Sequence, residues 1–251
     1  MIRRPPRSTQ GVSSAASDVY KRQFYGRADV WEPLVWVLAA GSMTIGNLIA
    51  LRQTNIVRLM AYSGVAQTGF MIAPLAVAGH SVATGDQALS ATVTYLMIYA
   101  AMNLGVFAVI ITLARRTGSA EISSYSGAFH YAPGLTLAMT VFLFSLAGIP
   151  PLGGWFAKFE VFRVLATAGE PWGYALAVVA AVNSVIALFY YAAIARRMWA
   201  DEAPNGDLSP VPVTPSLVSA LALCGIVTLV FGIAPQAVAR FTDVSLLALG
   251  G

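Results

Sequence analysis

Residues 147–162 read AGIPPLGGWFAKFEVF and hold the most chemically unusual positions of the chain. Gly148, Pro150, Pro151, Gly153 and Gly154 fall close together in an otherwise apolar stretch. Two adjacent prolines remove two backbone donors, and their rings clash with preceding carbonyls, so a helix running through this stretch must break. Lys158 follows four residues after Gly154 and is the only lysine beyond the first 23 residues. A charge held at the centre of a bilayer costs about 2.5–3.5 kcal/mol, and such residues face a bundle interior, a water pathway or a proton relay. Removal from water favours the neutral amine, which brings proton exchange within reach. Proton binding and release beside a discontinuous helix is therefore the chemistry these residues offer, as in ion sites built on broken membrane helices. The competing reading is that the long stem of Lys158 snorkels to the membrane surface.

Other polar residues in apolar stretches are candidates for lining a proton path. They are Asn47, Tyr62, Ser63, Gln67 and Thr68, then Tyr95, Tyr99 and Asn103, then Asn183, Tyr190 and Tyr191. Among these Gln67 ranks first, because it carries an amide well inside its span. Each has a structural alternative: Ser, Thr and Asn also bond neighbouring membrane helices, and Tyr collects at interfaces. Glu160 and Arg163 stand three apart and read as a structural ion pair. Gly41, Ser42, Gly46, Gly64 and Gly69 read as marks of close helix packing.

The elements that position these residues are membrane helices. Of the 251 residues 57% are hydrophobic and 10% charged, against about 25% charged in a soluble domain. Apolar runs extend from Pro33 nearly to the C-terminus without the ten-residue alternation of a transmembrane barrel. Runs bounded by charge, Pro or Gly predict spans over 33–51, 56–79, 92–114, 133–167, 172–195 and 215–234. The fold class is thus all-α, with about six crossings. The fourth span, if straight, would be about 50 Å long, too long for a hydrocarbon core of about 30 Å. Its discontinuity is placed at Gly148 to Gly154. Lys158 then lies about 12 Å from the end of the span, near mid-bilayer, and a cavity is expected where the broken backbone needs polar partners.

Arginines predict orientation, because cytoplasmic connections are enriched in Lys and Arg. Arg52, Arg58, Arg115, Arg116, Arg196 and Arg197 fall in the first, third and fifth connections, against Arg27, Arg163 and Arg240 on the other side. Both ends of the helical region are therefore expected outside the cytoplasm. The polar stretch MWADEAPNGDLSPVPVTP reads as a loop.

The net charge of +4 comes from residues 1–23, which are polar, rich in Arg and Ser, and without the apolar core of a secretory signal. They resemble translated adaptor sequence, or an organellar transit peptide, and are set aside as an artefactual or disordered tail; residues 24–251 form the transmembrane domain. From Phe24 onward ten basic residues balance ten acidic ones, so no nucleic-acid partner is expected. A single Cys224 and two histidines, His80 and His130, offer neither a disulfide framework nor metal-ligand spacing. No cofactor or metal is expected on this chain, since iron–sulfur clusters need several thiolates and haems need axial ligands.

Two stretches carry a resemblance: GNLIALRQTNIVRLMAYSGVAQTGF, residues 46–70, and SLAGIPPLGGWFAKFEVF, residues 145–162. They resemble the antiporter-like subunit N of NADH-quinone oxidoreductase, respiratory complex I, equivalent to mitochondrial subunit 2. The resemblance runs from about Phe24 to the end. It implies the last six of fourteen helices, with Lys158 at the position of a proton-transferring lysine on the family's broken twelfth helix. It further implies that the enzyme is the whole complex, with NADH, FMN, iron–sulfur clusters and quinone on partner subunits. The implied partners of this chain are the other membrane-arm subunits and the lipid of a bacterial inner membrane, with both ends periplasmic. Members often carry His where this chain has Gln67, and an amide organises water but does not titrate. The family's first broken helix, paired upstream lysines and acidic partner residue all precede this segment, so the chain as written holds one half of a pump.

Three function classes follow. The leading one is a proton-translocating membrane-arm subunit; the others are a subunit of a multisubunit cation/proton antiporter and a structural membrane element without transport.

Overall fold

The computed structural model describes residues 26–234 and 236. The expected tail at 1–23 and Arg240 lie outside the described residues. Seven long helices follow in order: α1 (Ala28–Ala50), α2 (Ile56–Ile72), α3 (Val82–Thr117), α4 (Pro133–Ala147), α5 (Gly153–Thr167), α6 (Pro171–Ala200) and α7 (Pro215–Ile233). Five stretches are long and apolar enough to cross a membrane: α1, α2 with its extension, α3, α6 and α7. The pair α4 and α5 makes the sixth crossing, the broken one. The chain is an all-α integral membrane protein.

Local chemistry sets the boundaries. Asn55 caps α2 by accepting from the amides of Val57 and Arg58, satisfying two of the donors every helix start leaves unpaired. Pro74 tightens the end of α2 into a 3-10 turn over Ala73–Val77. Ser81 accepts from Thr84 at the start of α3, and Gly118 closes that helix at φ +66°. The third span is longer than expected from hydropathy: 36 residues instead of 23. Its first turns carry Thr84, Asp86 and Gln87, which the apolar-run criterion skips but a capped helix accommodates.

The three arginine-bearing connections stand at one end of the bundle. Ile56 donates to the Ala120 carbonyl and Ile122 to that of Thr54, so the first connection pairs with the third. Gly127 donates to the Arg197 carbonyl, and the Ser126 hydroxyl reaches Asp201, which brings the fifth alongside. At the opposite end Glu32 accepts from the amide of Gly79 at 2.7 Å, and His80 meets Glu170 at 3.0 Å. Of the small residues read as packing marks, Gly46 and Gly69 are such: a Cβ on either would lie 2.7 Å from backbone of the facing helix. Gly41 is not, having nothing within 4 Å of that point.

Candidate functional site: a buried lysine at a broken helix

The non-helical stretch runs from Gly148 to Leu152; Gly153 and Gly154 already form the first turn of α5, two residues short of the expected break. The Pro150–Pro151 bond is cis. Gly148 adopts φ +94°, a backbone state that glycine enters without the steric cost a Cβ imposes. Gly154 lets the two half-helices touch: a Cβ there would lie 1.8 Å from the Ser145 carbonyl oxygen. Its amide donates to the Ser145 hydroxyl at 3.0 Å, which itself faces the Met102 sulfur.

A helix that stops leaves its last four carbonyls without helical donors. At the end of α4 all four are met by protein groups. Gly148 donates to Phe144 and Ser145, and Ile149 to Phe144. The Gln67 amide donates to the Leu146 oxygen at 3.2 Å, and Lys158 Nζ to the Ala147 oxygen at 2.9 Å. Backbone amides thus meet the Phe144 and Ser145 carbonyls, and side chains meet those of Leu146 and Ala147.

Lys158 is 5% exposed, so it does not snorkel. Its Nζ sits 4.6 Å from the centre of the Phe70 ring, a cation–π arrangement, at the negative end of the α4 dipole. Among the described residues no carboxylate lies within ion-pair distance of it.

A polar network adjoins this point. Gln67 accepts from the Tyr95 hydroxyl and donates to Tyr191 at 3.3 Å; Tyr191 also bonds Ser63. Tyr190, its ring 4.4 Å from that of Tyr191, donates to Asn47 Oδ1 at 2.9 Å. Asn47 donates to Asn183 Oδ1 at 3.0 Å, and Asn183 to Thr44 at 3.2 Å. Four separate helices, α1, α2, α3 and α6, supply these side chains.

The structure therefore brings together Lys158, Gln67, Tyr95, Ser63, Asn47, Asn183, Tyr190 and Tyr191. Thr68 stands apart, exposed and bonded back to Gly64 within its own helix. Tyr62 packs against the core, and Tyr99 points its hydroxyl at Gly64. Asn103 is half-buried with an Oδ1 that has no partner among the described residues. Glu160 and Arg163 form the expected ion pair at 2.6 Å. Sequence reasoning missed Phe70 and the Leu146 and Ala147 carbonyls. Phe70 looks like ordinary core, and a carbonyl has no residue identity; only the broken helix hints that such acceptors are free.

A bundle with six crossings, one broken beside a buried lysine that adjoins a hydroxyl and amide network, is a polytopic membrane protein with a polar centre. The chain belongs to the NADH:quinone oxidoreductase/Mrp antiporter transmembrane family, whose profile matches residues 19–184. It is 36% identical over 225 residues to NADH-quinone oxidoreductase subunit N of Anaeromyxobacter sp. (strain Fw109-5), covering 88% of this chain and 42% of that protein. A subunit N of Solibacter usitatus is 40% identical over 219 residues, covering 86% and 42%. The chain thus spans less than half the length of these relatives. Among solved structures, a chain of respiratory complex I from Thermus thermophilus superposes with TM-score 0.63 at 28% identity, covering 83% of this chain and 45% of that one. The Mrp complex of Dietzia sp. DQ12-45-1b gives TM-score 0.75 at 20% identity, covering 90% and 49%, a likeness of fold alone.

Proposed function

We propose that the chain is part of a proton-translocating membrane-arm subunit of an NADH:quinone oxidoreductase, and that Lys158 carries the proton. The observation that supports this most is the placement of Lys158: buried, without a carboxylate partner among the described residues, and held one carbonyl away from the Gln67 network. In this reading Lys158 takes a proton from the polar axis that includes Gln67, Tyr191 and Tyr95, and releases it toward the end of the bundle opposite the three arginine-bearing connections. Its protonation is switched by charges in neighbouring units, since coupled sites titrate together. The arginine-bearing end faces the cytoplasm of a bacterial inner membrane, and residues 24–251 act as the transmembrane domain.

Redox chemistry belongs to partner subunits in this reading. One cysteine cannot supply the thiolates of an iron–sulfur cluster, so NADH, FMN, the clusters and quinone are assigned to other chains of the complex. Changing Lys158 to Ala in the assembled complex is expected to abolish or strongly reduce proton pumping. Pumping at the unaltered rate, in a complex of normal subunit composition, would overturn the assignment.

A second reading, a subunit of a multisubunit cation/proton antiporter, is favoured by the family's breadth and by the fold likeness to the Mrp complex. Genes for NADH-oxidising and quinone-reactive subunits beside this one select the respiratory complex; neighbours limited to small membrane subunits select the antiporter.

A further inference from the structure

Lys158 meets the end of α4 through a hydrogen bond and α2 through an aromatic ring. Gln67 and Phe70 stand three residues apart on α2, a spacing that places both on one side of a helix. Gln67 holds the Leu146 carbonyl, and Phe70 meets the lysine that donates to the next carbonyl, Ala147. The Phe70 ring is itself fixed in place. It stacks on Tyr95, with ring centroids 6.4 Å apart and planes 12° from parallel, and the Tyr95 hydroxyl donates to the Gln67 side-chain oxygen. Amide, tyrosine and phenylalanine thus close a bracket between α2 and α3, and the lysine nitrogen lies 4.6 Å from the centre of the Phe70 ring. Phe70 is 1% exposed and Lys158 5%, so water screens neither partner, and the attraction between ring and ammonium falls at the strong end of its range.

We propose that Phe70 is a positioning residue for the lysine centre: its ring takes the place of a carboxylate and holds the ammonium form of Lys158 on the Ala147 carbonyl. The proposal rests on the proton-transfer reading of Lys158 and adds the group that sets how firmly the proton is kept. The negative face of an aromatic ring attracts the ammonium and gives the neutral amine no comparable support. When the proton leaves, the ring is left as ordinary apolar core. A carboxylate at the same point would be left as a buried, unpaired charge, a state of high cost. The helices packed against α5 offer few other titratable groups: Tyr62 on α2, Tyr95 and Tyr99 on α3, Tyr190 and Tyr191 on α6 and Cys224 on α7, besides residues at the helix ends. Among the described residues of α4 there is none, and Glu160 and Arg163 of α5 pair with each other. Removing the ring therefore weakens the ammonium alone, and the lysine loses its proton at a lower pH.

The test uses the assembled complex in inverted membrane vesicles, with pumping per NADH oxidised measured across pH. Phenylalanine analogues with one, two or three ring fluorines are placed at residue 70 by stop-codon suppression. Fluorine is nearly as small as the hydrogen it replaces and draws charge from the ring face, so packing is kept while the attraction weakens. The alkaline limb of pumping is expected to move to lower pH in step with the number of fluorines, and by about 0.5–1.5 pH units in Phe70→Leu. A limb that stays in place through the fluorine series, at normal complex content, would overturn the proposal. So would a fall in pumping that is equal at every pH, the mark of a packing defect. The fluorine series decides the matter even where Phe70→Leu fails to assemble. Lys158→Ala, measured alongside, separates the two readings. Loss of pumping there with an unmoved fluorine series leaves the lysine reading standing and removes Phe70 from it; normal pumping removes the lysine and the ring with it.

Discussion

Among the described residues Lys158 meets no counter-ion, only weaker, distributed partners. One carbonyl, one aromatic face and the end of a helix dipole favour the ammonium, and none of them carries a full charge that would hold it permanently. Gly148 is part of this arrangement, because a Cβ there would lie 2.9 Å from Lys158 Cδ. Gly148→Ala should therefore act twice. It strains a backbone at φ +94°, for about 1–3 kcal/mol, and it pushes the lysine stem away from Ala147. The expected result is a lower midpoint of thermal inactivation together with slower pumping, whereas Gly134→Ala, with open space at its Cβ, serves as the unperturbed comparison. Gln67→Leu should cost about 1–3 kcal/mol, because the Leu146 carbonyl and the Tyr95 and Tyr191 hydroxyls lose a buried partner. Stability of the solubilised complex near the wild-type value would show that these groups find other partners.

Elements meet at the break through backbone contacts, so its integrity depends on small residues on both sides. Gly154 abuts the Ser145 carbonyl, and Gly232 of α7 abuts that of Pro151: a Cβ on Gly232 would lie 1.9 Å from that oxygen. Neither oxygen can swing aside as a side-chain tip does. Gly154→Ala is therefore expected to prevent normal closure of α4 on α5 and to reduce the amount of assembled complex, read on a native gel. Normal assembly would mean that the half-helices can slide apart without cost. Asn55→Ala probes a different junction, the cap of α2 that holds the 54–56 and 120–122 backbones together; loss of such a cap costs about 1 kcal/mol.

For the whole molecule the central issue is which end faces which compartment. Six arginines gathered at one end by backbone pairing favour that end as cytoplasmic. In a Cys224→Ser background, Glu202→Cys should react with an impermeant thiol reagent in inverted vesicles and Val82→Cys in right-side-out spheroplasts. The reverse pattern would invert the direction assigned to proton release from Lys158. The outer surface of the bundle is apolar along much of α1, α6 and α7, with residues such as Leu34, Phe189 and Leu223 more than half exposed, as expected of helices that face lipid or other membrane helices.

The sequence by itself determined the fold class, the number of crossings, the broken fourth span and the isolation of Lys158. Each follows from a local rule: hydrophobic length, proline geometry, or the cost of a charge in lipid. It also singled out Gln67 and Tyr95, although with Tyr62, Tyr99 and Asn103, which stand beside the network and make no bond within it. Periodicity cannot separate these, because whether a tyrosine meets another polar group depends on which helix lies opposite. Only the tertiary structure decided that Gln67 and Lys158 occupy neighbouring carbonyls at the end of α4, that Phe70 covers the lysine, and that Tyr190 bonds Asn47. Hydrogen bonds between helices 79 to 143 residues apart in sequence create those relations, and no local pattern encodes them.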